Sequence, residues 1–165
     1  MFNVGDKIVY PMHGAGIIND IEEREILGEA KKYYIMEMPI GDMKVMVPLD
    51  KVDEVGVREI ISKEEMEEVM GILKDDRSKM PKNWNRRFRA NMDKIKSGDI
   101  YEIAIVVRNL MILDLEKGLS TGERKMLSDA KQMLVSEMIL VYDKTIEEVE
   151  EIIEESIDYE GIEVQ

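Results

Sequence analysis

The residues of this sequence best suited to chemistry surround its single tryptophan, Trp84. Residues 77–96 contain eight lysines or arginines and one acidic residue, which gives this segment a formal charge of +7 in a chain of net charge −13. The basic residues are Arg77, Lys79, Lys82, Arg86, Arg87, Arg89, Lys94 and Lys96. Cationic side chains bind phosphates, and aromatic rings stack on bases. The segment is therefore predicted to contact nucleic acid, with Trp84 touching the bases.

Trp84 also has a purely structural interpretation. A lone tryptophan at the start of a helix more often anchors packing, and its spacing of four from Phe88 places both rings on one helix face. Arg86 and Arg89, three residues apart, also share a face. An exposed tryptophan beside arginines stacks on an unpaired base while the guanidinium groups hold phosphates. The spacing leaves open whether Trp84 continues the inward face or projects from the helix end.

The acidic remainder of the chain limits how such a contact forms. Because the mean field of an acidic protein repels phosphate, indiscriminate binding to DNA is not expected. A partner that brings the basic segment to nucleic acid is expected instead.

Catalytic and metal-binding groups are scarce in this sequence. The chain has no cysteine, which excludes disulfides and thiolate metal sites, and its one histidine, His13, lies in a glycine-rich turn without co-ligands at a useful spacing. We expect no enzymatic activity, no cofactor and no metal. No apolar run approaches the ~18 residues of a membrane span, and the first residues lack the pattern of a secretory signal. A soluble, cytoplasmic protein is expected.

The first part of the chain has the pattern of β-strands. Four runs rich in β-branched and aromatic residues are separated by turn-prone segments. They are VGDKIVY, HGAGIINDIEEREI, AKKYYIMEM and MKVMVP. This spacing predicts a small antiparallel β-barrel or strongly bent sheet over residues 1–57, with Gly28 at positive φ in one hairpin turn.

The pattern changes to helix from Ser62 onward. Apolar residues recur at helical spacing, and a further helix is predicted to begin near Trp84, after the breaker Pro81. Four residues precede a glutamate by three, as in a capping box: Ser62, Asp99, Ser120 and Thr145. These signals predict an all-α domain of about five helices over residues 62–158, followed by an acidic tail at 159–165. The fold class is therefore α+β with two domains.

Six sequence blocks, in this order, closely resemble the CarD/CdnL family of bacterial transcription regulators. They are VGDKIVYPMHGAGII, GDMKVMVP, VGVREI, NWNRRFRANMDKIKSGD, VVRNL and GLSTGERKML. The first block is also similar to the polymerase-binding module of the transcription-repair coupling factor. The NWNRRF and GLSTGERKML blocks distinguish CarD/CdnL from that module, and the resemblance extends to about residue 142.

The resemblance implies a Tudor-like N-terminal domain that binds the β subunit of bacterial RNA polymerase, and a helical domain placed on promoter DNA. In this family a tryptophan wedges into the minor groove at the upstream edge of the −10 element and stabilises the open promoter complex. Trp84 matches that tryptophan. Arg86, Arg87 and Arg89 match the family's DNA-facing basic segment.

The resemblance also implies a polymerase interface. Arg24 matches a basic position of that interface, and residues 43–47 match a strand whose edge pairs with the β subunit. These residues are Met43, Lys44, Val45, Met46 and Val47. Met46 departs from the pattern, since some members carry arginine there, which puts a polar contribution in doubt but leaves backbone pairing intact.

Taken together, the residues and the resemblance to CarD/CdnL imply a monomeric transcription regulator that associates with the nucleoid through RNA polymerase. The alternative is a protein–protein adaptor that uses the polymerase-binding β-module without contacting DNA.

Overall fold

The first 59 residues form an antiparallel sheet in the computed structural model, which describes residues 1–160. Its strands are β1 (Lys7–Tyr10), β2 (Gly14–Ile26), β3 (Glu29–Glu37), β4 (Lys44–Pro48) and β5 (Arg58–Glu59). The strand order is β4–β3–β2–β1–β5, so β4 and β5 lie at the two ends. The core of the sheet contains Ile8, Ile18, Tyr34, Met36 and Val47.

A two-residue turn joins β2 and β3. Leu27 and Gly28 both have positive φ, 53° and 79°, and Ile26 pairs with Glu29 across the turn. Two positive φ angles match the twist of antiparallel strands. The positive φ predicted for Gly28 is confirmed, and the structure adds Leu27, a residue type that rarely adopts this conformation.

Within residues 1–160, six helices follow or flank the sheet. They are α1 (Val52–Val55), α2 (Lys63–Lys74), α3 (Trp84–Lys96), α4 (Ile100–Lys117), α5 (Thr121–Tyr142) and α6 (Ile146–Ser156), with a 3-10 turn at Leu49–Lys51 before α1. The α+β fold class, with a sheet first and helices after it, is confirmed. The short α1 and β5 are additions that the sequence pattern did not predict. The predicted acidic tail at 159–165 lies outside the described residues except for its first two positions.

The predicted caps explain where the long helices begin. The side chains of Ser62, Ser120 and Thr145 each accept the backbone N–H of the glutamate three residues later. Asp99 caps α4 differently, since it accepts the backbone N–H of Tyr101. Each such bond satisfies a donor that the first turn of a helix leaves free.

The helical core is built around α4, which is buried on most of its surface. Val106, Val107 and Leu110 of α4 are fully buried against α2 and α5. A helix that is apolar on nearly every face is stable only inside a core. Within residues 1–160, no helix combines the length and apolar character needed to cross a membrane.

The sheet packs directly on α5. The Ser136 hydroxyl accepts the Ala15 backbone N–H at 2.9 Å, and a Cβ at Gly14 would lie only 2.7 Å from the same Oγ. Gly14 also has a φ of +104°. Both the conformation and the close approach therefore require glycine at this position.

An ion pair forms the second contact between the sheet and α5. Nη1 and Nη2 of Arg58 each lie 2.8 Å from a carboxylate oxygen of Glu137. Glu137 also accepts the Ile61 backbone N–H at 2.9 Å, and Arg58 donates to the Gly98 carbonyl. The Glu137 side chain is 1% exposed, so its charge is neutralised inside the interface.

Candidate nucleic-acid interface

Trp84 is the first residue of α3 and is partly exposed. The Asn83 side chain caps the helix by accepting the Arg86 backbone N–H at 3.1 Å. The Trp84 ring stacks on Phe88, with ring centroids 5.0 Å apart and an interplanar angle of 22°. Even so, Trp84 is 41% exposed. Trp84 thus both continues the Phe88 face and presents a free surface at the helix end.

Residues at the start of α5 contact the Trp84 ring and fix its position. The indole N–H donates to the Ser120 hydroxyl at 2.9 Å. A Cβ at Gly122 would lie 3.5 Å from Cζ2 of Trp84 and 3.6 Å from Cε2 of Phe88, so the α5 backbone passes close to both rings. The polar edge of the indole is satisfied within the protein, and its orientation is fixed before any ligand arrives.

A buried ion pair holds this support in place. Nε and Nη2 of Arg87 lie 2.7 and 3.1 Å from the two carboxylate oxygens of Glu123, which is 2% exposed. Ser120 donates to Glu123 Oε1 and accepts the Glu123 backbone N–H, in addition to the indole N–H. The hydroxyl therefore uses its one proton and both lone pairs. Arg87, Glu123, Ser120 and Trp84 form one connected network, which we call the tryptophan support network.

The titration of Glu123 reflects this environment. Burial by itself raises the pKa of the carboxyl, but the hydrogen bonds and charge of Arg87, together with Ser120, outweigh it and hold the pKa below its ordinary value. The hydrogen bond to Glu123 raises the pKa of Arg87. The pair is therefore ionised at neutral pH.

The three arginines predicted to contact DNA occupy different environments. Arg86 and Arg89 are exposed, and no carboxylate lies within 4.0 Å of either in the described part of the chain. Arg87 instead has a side chain that is 17% exposed and paired with Glu123. Arg86 and Arg89 thus present free charge on α3, two and five residues after Trp84, whereas Arg87 faces the protein.

The residues predicted to bind polymerase lie on the other domain. In the part of the chain that the structure describes, β4 is an edge strand that pairs with β3 only, from Glu37↔Lys44 to Tyr33↔Pro48. Met43 precedes the strand and is exposed, and its carbonyl accepts the Met38 backbone N–H. Arg24 lies on the outer half of β2, exposed and paired with Glu22 at 2.8 Å. An edge strand offers unpaired backbone groups to another chain.

The remaining candidate residues form no second site. His13 is exposed and packs against Tyr10 in a tilted arrangement, with ring centroids 4.3 Å apart. Among residues 1–160, no group of three or more His, Asp or Glu side chains is arranged to hold a metal ion. The sequence pattern assigned Ser120 and Glu123 only a helix-capping role and did not place them against Trp84. The capping-box motif was the available signal, but only the fold brings it against Trp84.

The helical part of the chain matches a known family. The family model described as "CarD, C-terminal domain" matches residues 68–154, more than half of the chain. The chain belongs to the CarD family. A second model, described as "CarD-like/TRCF RID domain", matches residues 2–61 of this CarD protein, so the two matches follow each other as the sheet and the helices do.

A relative supports the same assignment. The Bacillus subtilis (strain 168) protein named "Putative transcription factor YdeB" is 43% identical to this CarD protein over 141 residues, which are 86% of this chain and 92% of the relative. The predicted CarD/CdnL resemblance is confirmed. CarD-like proteins are a family of transcription factors, and the expectation of a transcription regulator is confirmed at that level.

Proposed function

We propose that this CarD protein binds the β subunit of RNA polymerase through its sheet and stabilises the open promoter complex through Trp84. The observation that carries the proposal is the geometry of Trp84. Its ring is partly exposed and fixed by Phe88 and Ser120, and the same helix carries the exposed cations Arg86 and Arg89. An oriented aromatic surface on a basic helix suits a base at the edge of melted DNA, with guanidinium groups available for nearby phosphates.

The energies indicate which step the tryptophan favours. Unstacking a base step costs a few kcal/mol, whereas an aromatic stack returns about 1–3 kcal/mol. Trp84 therefore does not open a duplex by itself. It stabilises a bubble that the polymerase has already opened, at the upstream edge of the −10 element.

Recruitment by polymerase explains how an acidic protein reaches promoter DNA. A protein of net charge −13 is repelled by free DNA. Binding to polymerase raises the local concentration of Arg86 and Arg89 at the promoter. We propose that residues 1–57 supply the polymerase contact, with the outer edge of β4 pairing to a strand of the β subunit, and that residues 62–158 supply the DNA contact. One monomer suffices for both contacts.

Replacing Trp84 with alanine is expected to shorten the lifetime of the open complex while polymerase binding is unchanged. Losing a stack of about 1–3 kcal/mol corresponds to a lifetime about 5- to 150-fold shorter. The measurement is promoter dissociation after addition of a competitor, with and without the protein.

Leu115→Ala is the matched control, because Leu115 on α4 is as exposed as Trp84, at 41%. This variant should behave as wild type. An open-complex lifetime that Trp84→Ala leaves unchanged excludes the wedge role and favours the adaptor alternative. An adaptor should also leave DNA reactivity upstream of the −10 element unaltered in footprints.

Reversing the charge of Arg24 is expected to weaken binding to the polymerase β subunit. Like charges brought together at an interface cost several kcal/mol, so affinity should fall about tenfold or more. Pull-down with purified β subunit, titrated over protein concentration, measures the change for Arg24→Glu. Lys51→Glu makes the same charge change at another exposed position of the domain and serves as control. Equal affinities for the two variants contradict the assignment of Arg24.

A further inference from the structure

A basic cleft adjoins the site of Trp84. It has a volume of about 470 Å³ and lies between the α2–α3 linker, residues 75–83, and the C-terminal end of α4. The charged residues that line it are Arg77, Lys79, Lys82, Arg87, Glu116 and Lys117. Its size is within the roughly 300–1,000 Å³ of sites that bind small molecules or parts of larger ones.

Internal ion pairs account for only some of these charges. Arg77 pairs with Glu116 at 2.6 Å, and Arg87 pairs with Glu123. The remaining cations are Lys79, Lys82 and Lys117. Among residues 1–160, no carboxylate lies within 4.0 Å of any of these three ammonium groups. Three uncompensated lysines around one cleft, in a strongly acidic protein, indicate an anionic ligand.

Buried polar groups fix the linker wall of the cleft. The Arg108 side chain is buried in α4 and donates to the Ser78 hydroxyl at 2.7 Å and to the Ile72 carbonyl at 2.9 Å. The neighbouring Asn109 accepts the Ser78 backbone N–H at 3.1 Å. The linker is thus held against α4, and Lys79 and Lys82 extend from a defined backbone.

The cleft is continuous with the tryptophan support network. Arg87 lines the cleft and donates to the Lys82 carbonyl at 3.3 Å. Lys82 is two residues before Trp84, and Gly118 on the opposite wall is two residues before Ser120. Both walls of the cleft are thus two residues from a member of the tryptophan support network. A DNA strand whose base contacts Trp84 is therefore close to the cleft.

The nature of the wall selects the kind of anion. Compact free phosphates are usually held by helix N-termini or by converging backbone N–H groups. Here α4 contributes its C-terminal end, Leu113 to Gly118, where the helix dipole is negative. The cations are lysines, which are flexible point charges that hold a backbone without reading its sequence. This arrangement suits phosphates spread along a chain better than one concentrated phosphate.

We propose that the basic cleft binds the sugar-phosphate backbone of the DNA strand whose bases meet Trp84. This inference rests on the proposed promoter function and adds to it a direction: the strand leaves Trp84 along the α2–α3 linker towards the end of α4. Lys79, Lys82 and Lys117 hold successive phosphates of that strand.

The test replaces Lys79, Lys82 and Lys117 together with glutamine. The quantity measured is the factor by which the protein lengthens open-complex lifetime, followed over a range of salt concentrations. Each lost phosphate contact reduces the logarithmic salt slope by about 0.7–0.9, so the triple variant should have a slope smaller by about 2–3. Its stabilising factor should be reduced at low salt and approach that of wild type at high salt.

The control removes three other exposed lysines, Lys63, Lys74 and Lys144, and makes the same change in net charge. If the salt slope falls by the same amount in both triple variants, the effect comes from the net charge of the protein and the cleft proposal is wrong. The cleft variant is also made in the Trp84→Ala background. If the triple substitution also reduces the salt slope in the Trp84→Ala background, the cleft proposal is supported even when Trp84 is not a wedge. If the wedge role alone is wrong, Trp84→Ala has the same open-complex lifetime as wild type, and the effect of the triple substitution remains.

A binding experiment distinguishes a DNA strand from a free phosphate as the ligand of the cleft. Inorganic phosphate and pyrophosphate are titrated into the wild-type protein without DNA. No saturable binding in the millimolar range is expected. Saturable binding that the triple glutamine variant abolishes would assign the cleft to a small anion and overturn the proposal.

Discussion

Replacing Glu123 with alanine is expected to lower the free energy of unfolding by about 3–5 kcal/mol, the range for breaking one side of a buried ion pair. The change leaves the Arg87 guanidinium, which is 17% exposed, without its partner. It also removes the carboxylate to which Ser120 donates, so the hydroxyl is free to turn away from the indole. Urea unfolding measures the loss. Because Trp84 is the single tryptophan, its fluorescence reports the same site in the folded state.

A matched control uses an exposed ion pair on the same helix. Asp129→Ala removes the partner of Lys125, 2.9 Å away on the surface of α5, and should cost no more than about 1 kcal/mol. Similar losses from Glu123→Ala and Asp129→Ala would show that the buried network does not stabilise the fold.

The double variant Arg87→Met with Glu123→Met separates two roles for Arg87. Replacing a buried ion pair by apolar side chains of similar size is often neutral or stabilising, so stability should return to near that of wild type. If the only role of Arg87 in the proposed function is to support Trp84, the open-complex lifetime of the double variant should be longer than that of Glu123→Ala and close to that of wild type. A stable double variant with a short lifetime would instead favour direct contact between Arg87 and DNA.

Acidification should affect Glu123 in a defined direction. A carboxyl whose pKa is lower in the folded state binds its proton more readily in the unfolded chain. Its contribution to stability is complete above the unfolded pKa of about 4.3 and is lost as pH falls through the lower folded value. The difference in stability between wild type and Glu123→Ala should therefore shrink on acidification below that range.

Replacing Glu137 with alanine is expected to cost about 3 kcal/mol or more, because Arg58 loses a bidentate partner inside the interface between sheet and α5. The Ile61 N–H loses its acceptor at the same time, and an unsatisfied buried donor costs about 1–3 kcal/mol. Glu137→Gln should lose less, since the amide oxygen still accepts one of these bonds.

The readout for Glu137 has two parts. Denaturant unfolding gives the stability, and proteolysis at residues 59–62 reports whether the sheet and the helices separate. Under the proposed function, a looser contact between the sheet and α5 should shorten open-complex lifetime while binding to the β subunit is retained. A Glu137→Ala protein that unfolds like wild type would contradict the role given to the Arg58–Glu137 pair.

Local signals in the sequence predicted most of the elements. The caps at Ser62, Ser120 and Thr145 and the hairpin glycine at Gly28 depend on neighbours within a few residues, which a sequence displays directly. The two-residue β5 and the four-residue α1 are too short to produce a periodic pattern. Leu27 has no sequence signal for positive φ, since neither glycine nor asparagine occupies that position.

The site was predicted less completely because its decisive contacts are distant in sequence. Arg87 and Glu123 are 36 residues apart, and Arg58 and Glu137 are 79 apart. Nothing local distinguishes the partly buried Arg87, paired with Glu123, from the exposed Arg86 and Arg89. On the sequence alone all three belong to one basic run, and only the packing of α3 on α5 separates the support residue from the free cations.

Helix α5 has a consequence for where the protein acts along DNA. One end of this helix holds Trp84 through Ser120 and Glu123, and Ser136 and Glu137 near the other end bind the sheet. Glu137 lies 14 positions after Glu123, which is about 21 Å along the helix at ~1.5 Å per residue. An unbroken helix has a fixed length and a fixed angular register. In the proposed complex, α5 thus holds Trp84 at a constant distance from the sheet that binds polymerase. The promoter position that contacts Trp84 is therefore set by the length of α5 rather than by the base sequence.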